Sequence, residues 1–237
     1  MATRADKTSQ QSVFPVRLVL VLLSVLVFAW SVSALRTPEL AAKYDDVIWQ
    51  KLVGDTFSDE QLQQLRTPCG EYARNGHPRA ALLASLVAVR DLELALADGE
   101  PDDLRRLAAC ASEATRQLLR QNPSSSMGWL LLAWTGRLDG TDPQQASRYL
   151  DRSVQMAPRE VWMAIKRVPL MQAEVLHGRP DFVRGDYRVL AEAEKAEFAS
   201  KLLSACVVRY PLCETDWNAG LTSRQTRLVW QEMVREN

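Results

Sequence analysis

The sequence predicts an all-α protein in which an N-terminal transmembrane helix precedes a domain of helical hairpins. Three observations predict it. No segment sustains a period-two alternation, whereas apolar residues recur at three- and four-residue spacing along most of the chain. Gly, Pro, Asn and Asp punctuate the chain between runs of helix length. One uncharged run, Leu18 to Leu35, stands apart near the amino terminus.

That run, LVLVLLSVLVFAWSVSAL, would be about 27 Å long as a helix, close to the ~30 Å hydrocarbon core of a bilayer. Arg17 and Arg36 close its ends, and Trp30 lies near the second end, where an amphipathic ring suits the interface. A signal anchor and a signal peptide cleaved near Val32-Ser33-Ala34 compete, with a buried core helix as a third reading. The long leading segment and the length of the run favour the anchor. Arg4, Lys7 and Arg17 oppose only Asp6 ahead of the run, so the positive-inside bias sets the orientation. The expected organisation is a cytoplasmic segment 1–17, a transmembrane signal anchor 18–35 and an exported helical domain 36–237. The implied location is a bacterial inner membrane, crossed once, with the main domain in the periplasm.

After the span, Thr37-Pro38 opens a helix carried by Leu40, Tyr44, Val47, Ile48 and Leu52, and Gly54 ends it. Ser58-Asp-Glu-Gln61 has the form of a capping box and starts a short second helix. His77-Pro78 opens a third through Ala97. Pro101-Asp-Asp places acids in the first turn of a fourth, which Asn122-Pro123 stops. A fifth covers Ser124 to Leu138. Thr141-Asp-Pro143 opens a sixth that Ala157-Pro158 ends, and a seventh runs from Val161 to Leu176 with Pro169 as an internal kink or break. Residues 178–187 (GRPDFVRGDY) read as a loop. An eighth helix is expected from Ala191 to Arg209, and Thr222-Ser-Arg-Gln225 caps the last.

Four cysteines, Cys69, Cys110, Cys206 and Cys213, suit an oxidising compartment, and the chain has no CxxC. Cys206 and Cys213 flank Tyr210-Pro211, where the chain can turn back. The favoured pairing is Cys206–Cys213 with Cys69–Cys110, against four buried free thiols.

Composition narrows the chemistry. Lys+Arg 29 balances Asp+Glu 29, which leaves no basic field to hold a nucleic-acid backbone. The two histidines sit at helix ends: His77 before a proline and His177 before a glycine, where the helix dipole favours a cation. Nucleotide-binding, zinc-protease and serine-hydrolase motifs do not occur. Asp45-Asp46, Asp102-Asp103 and Glu192/Glu194 read as solvated helix faces, because adjacent helical residues do not face each other. No catalytic, cofactor-binding or metal-binding residue is assigned, no cofactor is expected, and the protein is read as a non-enzyme that binds other proteins.

A repeat signal supports this. Asn122-Pro123 and Ala157-Pro158 lie 35 residues apart, and between them stand Trp129-x2-Leu132-Ala133-x2-Gly136 and Ala146-x3-Leu150. This resembles the tetratricopeptide pattern W-x2-L-G-x2-Y…A-x3-F…P, with Ala133, Gly136 and Leu150 replacing Gly, Tyr and Phe. The resemblance covers Pro123 to Arg159. It implies paired helices approaching across Ala133 and Ala146, with neighbouring hairpins on both sides. More widely, the chain is similar to small membrane-anchored, repeat-like proteins of bacterial envelope-polysaccharide assembly. The span, the repeat-like centre, the helix AIKRVPLMQAEVL and the terminal LVWQEM helix carry that similarity.

The resemblance implies a scaffold or accessory subunit whose partners are other envelope proteins and, through one helix, the lipid bilayer. No nucleic acid and no small-molecule ligand are expected. The anchored chaperone modules of cytochrome c maturation have similar parts and form an alternative. A helical carbohydrate-active enzyme is a third, and it would need two facing carboxylates. In the tetratricopeptide register, Met127, Leu130, Trp134, Arg137 and Trp162 line a partner-binding groove. The competing expectation is that Trp134 and Trp162 pack against further helices.

Overall fold

The computed structural model describes residues 17–32, 58–66, 78–98 and 101–236, and among these it contains helices and turns but no strand. The helix expected at 37–52, the leading segment 1–16, Cys69 and His77 lie outside the described residues. Helix α1, residues 17–32, belongs to a unit separate from the one that holds the other helices.

Helix α1 is apolar on every side. Its residues are exposed from Arg17 to Trp30, and Phe28 and Trp30 are more than 70% exposed. The Ser24 and Ser31 hydroxyls donate to the carbonyls of Leu20 and Val27 at 2.9 and 2.8 Å. The helix thereby satisfies its own hydroxyls. Among the described residues no helix is long and apolar enough to cross a membrane. The run that predicted a span continues to Leu35, and Ser33, Ala34 and Leu35 lie outside the described residues.

The second unit contains α2 (Asp59–Leu65), α3 (Pro78–Asp98), α4 (Pro101–Gln121), α5 (Ser126–Gly136), α6 (Pro143–Met156), α7 (Val161–Leu176), α8 (Pro180–Glu192), α9 (Ala196–Arg209), α10 (Cys213–Asn218) and α11 (Ser223–Glu236). Local chemistry sets the boundaries. Ser58 and Gln61 form the expected capping box at the start of α2. Ser125 Oγ accepts from the Gly128 amide at 3.1 Å and caps α5. The Asp142 carboxylate caps α6, whose first residue, Pro143, has no amide to leave unpaired. Gly140 and Gly178 follow α5 and α7 with φ of +85° and +93°, a region open to glycine at little cost.

Successive helices pair as hairpins: α3 with α4, α5 with α6, α7 with α8, and α9 with α11 across the short α10. Neighbouring hairpins also touch, through α4 on α5 and through α3, α5, α7 and α9 in turn. Helices α5, α7 and α9 begin at residues 126, 161 and 196, a constant step of 35. A shared apolar core runs through the hairpins and includes Leu92, Leu150, Met163, Met171, Leu190, Leu203 and Trp217.

Four expectations are corrected. Residues 178–187 are not a loop; most of them belong to α8. Pro180 occupies the first helical turn, where it is tolerated, and Val183, Tyr187, Leu190 and Ala191 bury one face. The single helix expected over 191–209 is divided, because α8 ends at Glu192 and α9 starts at Ala196. Glu194 between them takes a φ of +57°, uncommon for a residue with a side chain. Of the kink or break expected at Pro169, the break does not occur: α7 runs through it with the ring exposed to solvent. The turn after Tyr210 contains an extra helix, α10, anchored by the buried Trp217.

The disulfide Cys206–Cys213 is present, with Cα atoms 5.9 Å apart, and ties the last turns of α9 to the start of α10. Cys110 on α4 is also disulfide-bonded. Cys69, its expected partner, lies outside the described residues.

Candidate partner-binding face

Helices α5 and α7 carry the residues expected to line a groove. Met127 and Leu130 are 7% and 5% exposed, so both belong to the core. Trp134 and Trp162 are half-buried and pack against that core, as do Ile165 on α7 and Phe198 on α9. An exposed Pro169 and Lys201, whose ammonium lies 5.5 Å from the Phe198 ring centre, continue this side of the helices. Gln172 Nε2 donates to the Lys201 carbonyl at 3.3 Å and links α7 to α9.

Arg137, the fifth expected groove residue, is the C-cap of α5 and has an internal partner. Its Nη2 donates to Glu174 Oε1 at 2.7 Å. Glu174 is buried on α7 and also accepts from Ser147 Oγ, at 3.0 and 2.9 Å, and from Arg179 Nη1 at 3.3 Å. Arg179 in turn donates to Asp151 at 3.0 Å and stacks over Phe182 at 4.2 Å. Two guanidiniums and two carboxylates thus join α5, α6, α7 and α8, and three donors, Arg137, Ser147 and Arg179, surround the buried carboxylate.

A second buried pair lies deeper. Arg167 on α7 and Asp186 on α8 form a two-pronged bond, Nε to Oδ2 and Nη2 to Oδ1, both at 2.7 Å. Their side chains are 0% and 1% exposed. Two of the three remaining guanidinium hydrogens reach the carbonyls of Ser153 at 3.3 Å and Ala157 at 3.2 Å, at the end of α6. Arg167 therefore adds donors at the carbonyl end of one hairpin, where Ser153 also accepts from the Ser126 hydroxyl and the Ala157 amide, while holding the next together. This planar fork suits Arg and would not suit Lys.

No family model, curated protein or solved structure matches this chain. The chemistry of its own residues carries the functional reading. Both buried carboxylates, Glu174 and Asp186, are engaged by arginines. Asp139, in the turn after α5, accepts from Ser112 Oγ at 2.6 Å, Thr141 Oγ1 at 2.6 Å and the Thr141 amide at 2.9 Å. Burial by itself raises its carboxyl, but these bonds and the Arg116 guanidinium outweigh it and hold the group below the usual carboxylate range. Burial pushes the Tyr187 phenol well above its ordinary value, and its hydroxyl donates to Asn218. Among the described residues no group of His, Cys, Asp and Glu is placed to hold a metal ion. His177 makes a 2.6 Å bond from Nδ1 to the Ala173 carbonyl at the end of α7, the helix-end position its sequence context indicated.

Motif inspection missed Arg167, Glu174 and Asp186. The signal available in the sequence was an arginine in an otherwise apolar stripe: Arg167 stands one 35-residue step from Leu132 and from Leu202, both buried.

Proposed function

We propose that this chain is a membrane-anchored protein-interaction scaffold, an accessory subunit of a bacterial cell-envelope assembly machine. Polysaccharide polymerisation or export is the specific pathway proposed. The single observation that carries the scaffold reading is the constant 35-residue step of α5, α7 and α9. Stacked hairpins of this kind suit the tetratricopeptide arrangement suggested by Trp129, Ala133, Ala146 and Pro158, and such arrays bind partners along extended faces. The half-buried Trp134 and Trp162 are the anchors of that face, since tryptophan is enriched among residues that dominate interface energy. Arg137 contributes through Glu174, as a fixed positive edge.

The uniformly apolar α1, with its hydroxyls satisfied internally, supports an anchor that continues to Leu35 and leaves the hairpins in the periplasm. The anchor is tested by the mass of the purified protein: a chain beginning near Leu35 would replace it with a cleaved signal. The scaffold is tested by capture from gently solubilised membranes with Trp134→Ala and Trp162→Ala variants, each paired with a helical melt. Partner loss from a variant that stays folded is the expected result. Capture that falls only when the fold is lost would remove this face from consideration.

A further inference from the structure

An open depression of about 430 Å³ lies on the solvent flank of α6, and it uses none of the groove residues described above. One wall is an aromatic pair, Trp129 and Tyr149, with ring centres 5.9 Å apart and planes tilted by 31°. Trp129 Nε1 donates to the Pro123 carbonyl at 2.8 Å, so the indole is fixed before any ligand arrives. Arg148 and Arg152 line the same depression, one helical turn apart.

The charge balance of the depression is uneven. Its one carboxylate, Asp151, is already paired with Arg179 at 3.0 Å. Among the described residues Arg152 bonds only to the neutral Gln155 amide, at 3.0 Å. Arg148 has no hydrogen bond or ion pair to any described residue and is exposed. Two uncompensated guanidiniums therefore sit beside a fixed aromatic wall.

We propose that this depression binds an acidic peptide segment of a partner protein. Carboxylates would meet Arg148 and Arg152, and a neighbouring apolar side chain would lie against Trp129 and Tyr149. Three physical points select this occupant. The arginine fork matches a carboxylate with two parallel bonds. Alternate side chains of an extended segment stand about 6.6 Å apart on one face, close to the ~6.0 Å rise over the four residues between the two arginines. The depression is open, so a chain can pass through it with both ends free. Two cations are too few to hold a nucleic-acid backbone, whose binding rests on many phosphate contacts.

The test uses the full chain in detergent micelles and a fluorescein-labelled pentapeptide, Glu-Ser-Glu-Ser-Phe, read by anisotropy. Its counterpart, Gln-Ser-Gln-Ser-Phe, keeps the shape and removes the charge. The acidic peptide should bind about tenfold more tightly than the neutral one, and its affinity should fall with added salt. The double variant R148E/R152E, whose changes are exposed, should keep its helical melt and lose that tenfold preference. Equal binding of both peptides, an unchanged preference in the folded double variant, or no binding at millimolar peptide would overturn the proposal. Tighter binding of trigalacturonate than of the acidic peptide would overturn it too, by assigning the depression to an acidic sugar. The groove tryptophans are untouched here, so the two faces fail or succeed separately.

Discussion

Replacing Asp186 by alanine should be among the most damaging single changes in the helical unit. The substitution leaves Arg167 charged at a site that is 0% exposed, with only the Ser153 and Ala157 carbonyls as partners. Breaking one side of a buried, two-pronged ion pair typically costs ~3–5 kcal/mol, because the surviving charge stays desolvated. For a unit of this size, ~1 kcal/mol moves the melting temperature by about 2–4 °C, so a fall of about 6–20 °C is expected. The double change Arg167→Met with Asp186→Leu removes both charges and restores apolar volume. It should recover most of the loss, since desolvation offsets much of what such a pair contributes. Circular dichroism melts and urea titrations of the wild type, the single variant and the double variant measure this. A D186A variant within ~1 kcal/mol of the wild type would refute the reasoning, because it would mean that water reaches the guanidinium. A double variant as weak as the single one would refute it differently, by showing that the carbonyl bonds to α6 matter more than the charge.

Asp139 gives a pH prediction. Its folded carboxyl lies below the unfolded value, so the contribution is complete above an unfolded pKa of about 3.9 and is lost as pH falls through the folded value. Asp139→Asn should therefore lower the melting temperature at pH 7, and the gap to wild type should close in strong acid; a constant gap would count against the assignment. Ala133 is 1% exposed between α5 and its neighbours, so Ala133→Trp should cost ~1–3 kcal/mol or more by overpacking, against about 1 kcal/mol for Ala133→Gly. Equal melts for these two variants would reject a close helix approach at this site. Changing Cys206 and Cys213 together to serine should cost roughly 2.5 kcal/mol by freeing a short loop, and an unmoved urea midpoint would show that the bond constrains little.

The hairpins were legible where turn chemistry is local and strong. Pro143 after Asp142, Ser58 with Gln61, and the limits Val161 and Leu176 of α7 all stand in the structure where their residue types indicate. The break between α8 and α9 was not legible. Glu194 takes a left-handed backbone without being glycine, in a helix-ending turn closed by the Glu194 amide on the Ala191 carbonyl and the Lys195 amide on the Leu190 carbonyl, a position where glycine is the usual signal. Residues 178–187 misled for the opposite reason: Gly178, Pro180 and Gly185 look like a loop, yet a Cβ at Gly185 would meet nothing, so that glycine carries only its intrinsic helix cost. Groove positions suffered from the same limit. Periodicity marks Met127 and Leu130 as one face of α5, but whether that face meets solvent or another helix depends on what packs beside it. Arg137 looked like a ligand-facing cation because Glu174, its partner, is 37 residues away.

The contact pattern has a consequence for how the chain acquires its shape. Every extensive contact joins helices at most three elements apart. Such local topology lets structure form in the order in which the polypeptide emerges, without waiting for its far end. A nascent chain that has reached Ala157 can already close the Ser153 carbonyl within the α5–α6 hairpin, through the Ser126 hydroxyl and the Ala157 amide, whereas the Arg167 bond to the Ala157 carbonyl arrives only with α7. Asp186, needed to neutralise the incoming charge, comes later still on α8. Between those two moments the Arg167 guanidinium has carbonyls of the α6 end, but no carboxylate, as its partners at the growing edge of the unit.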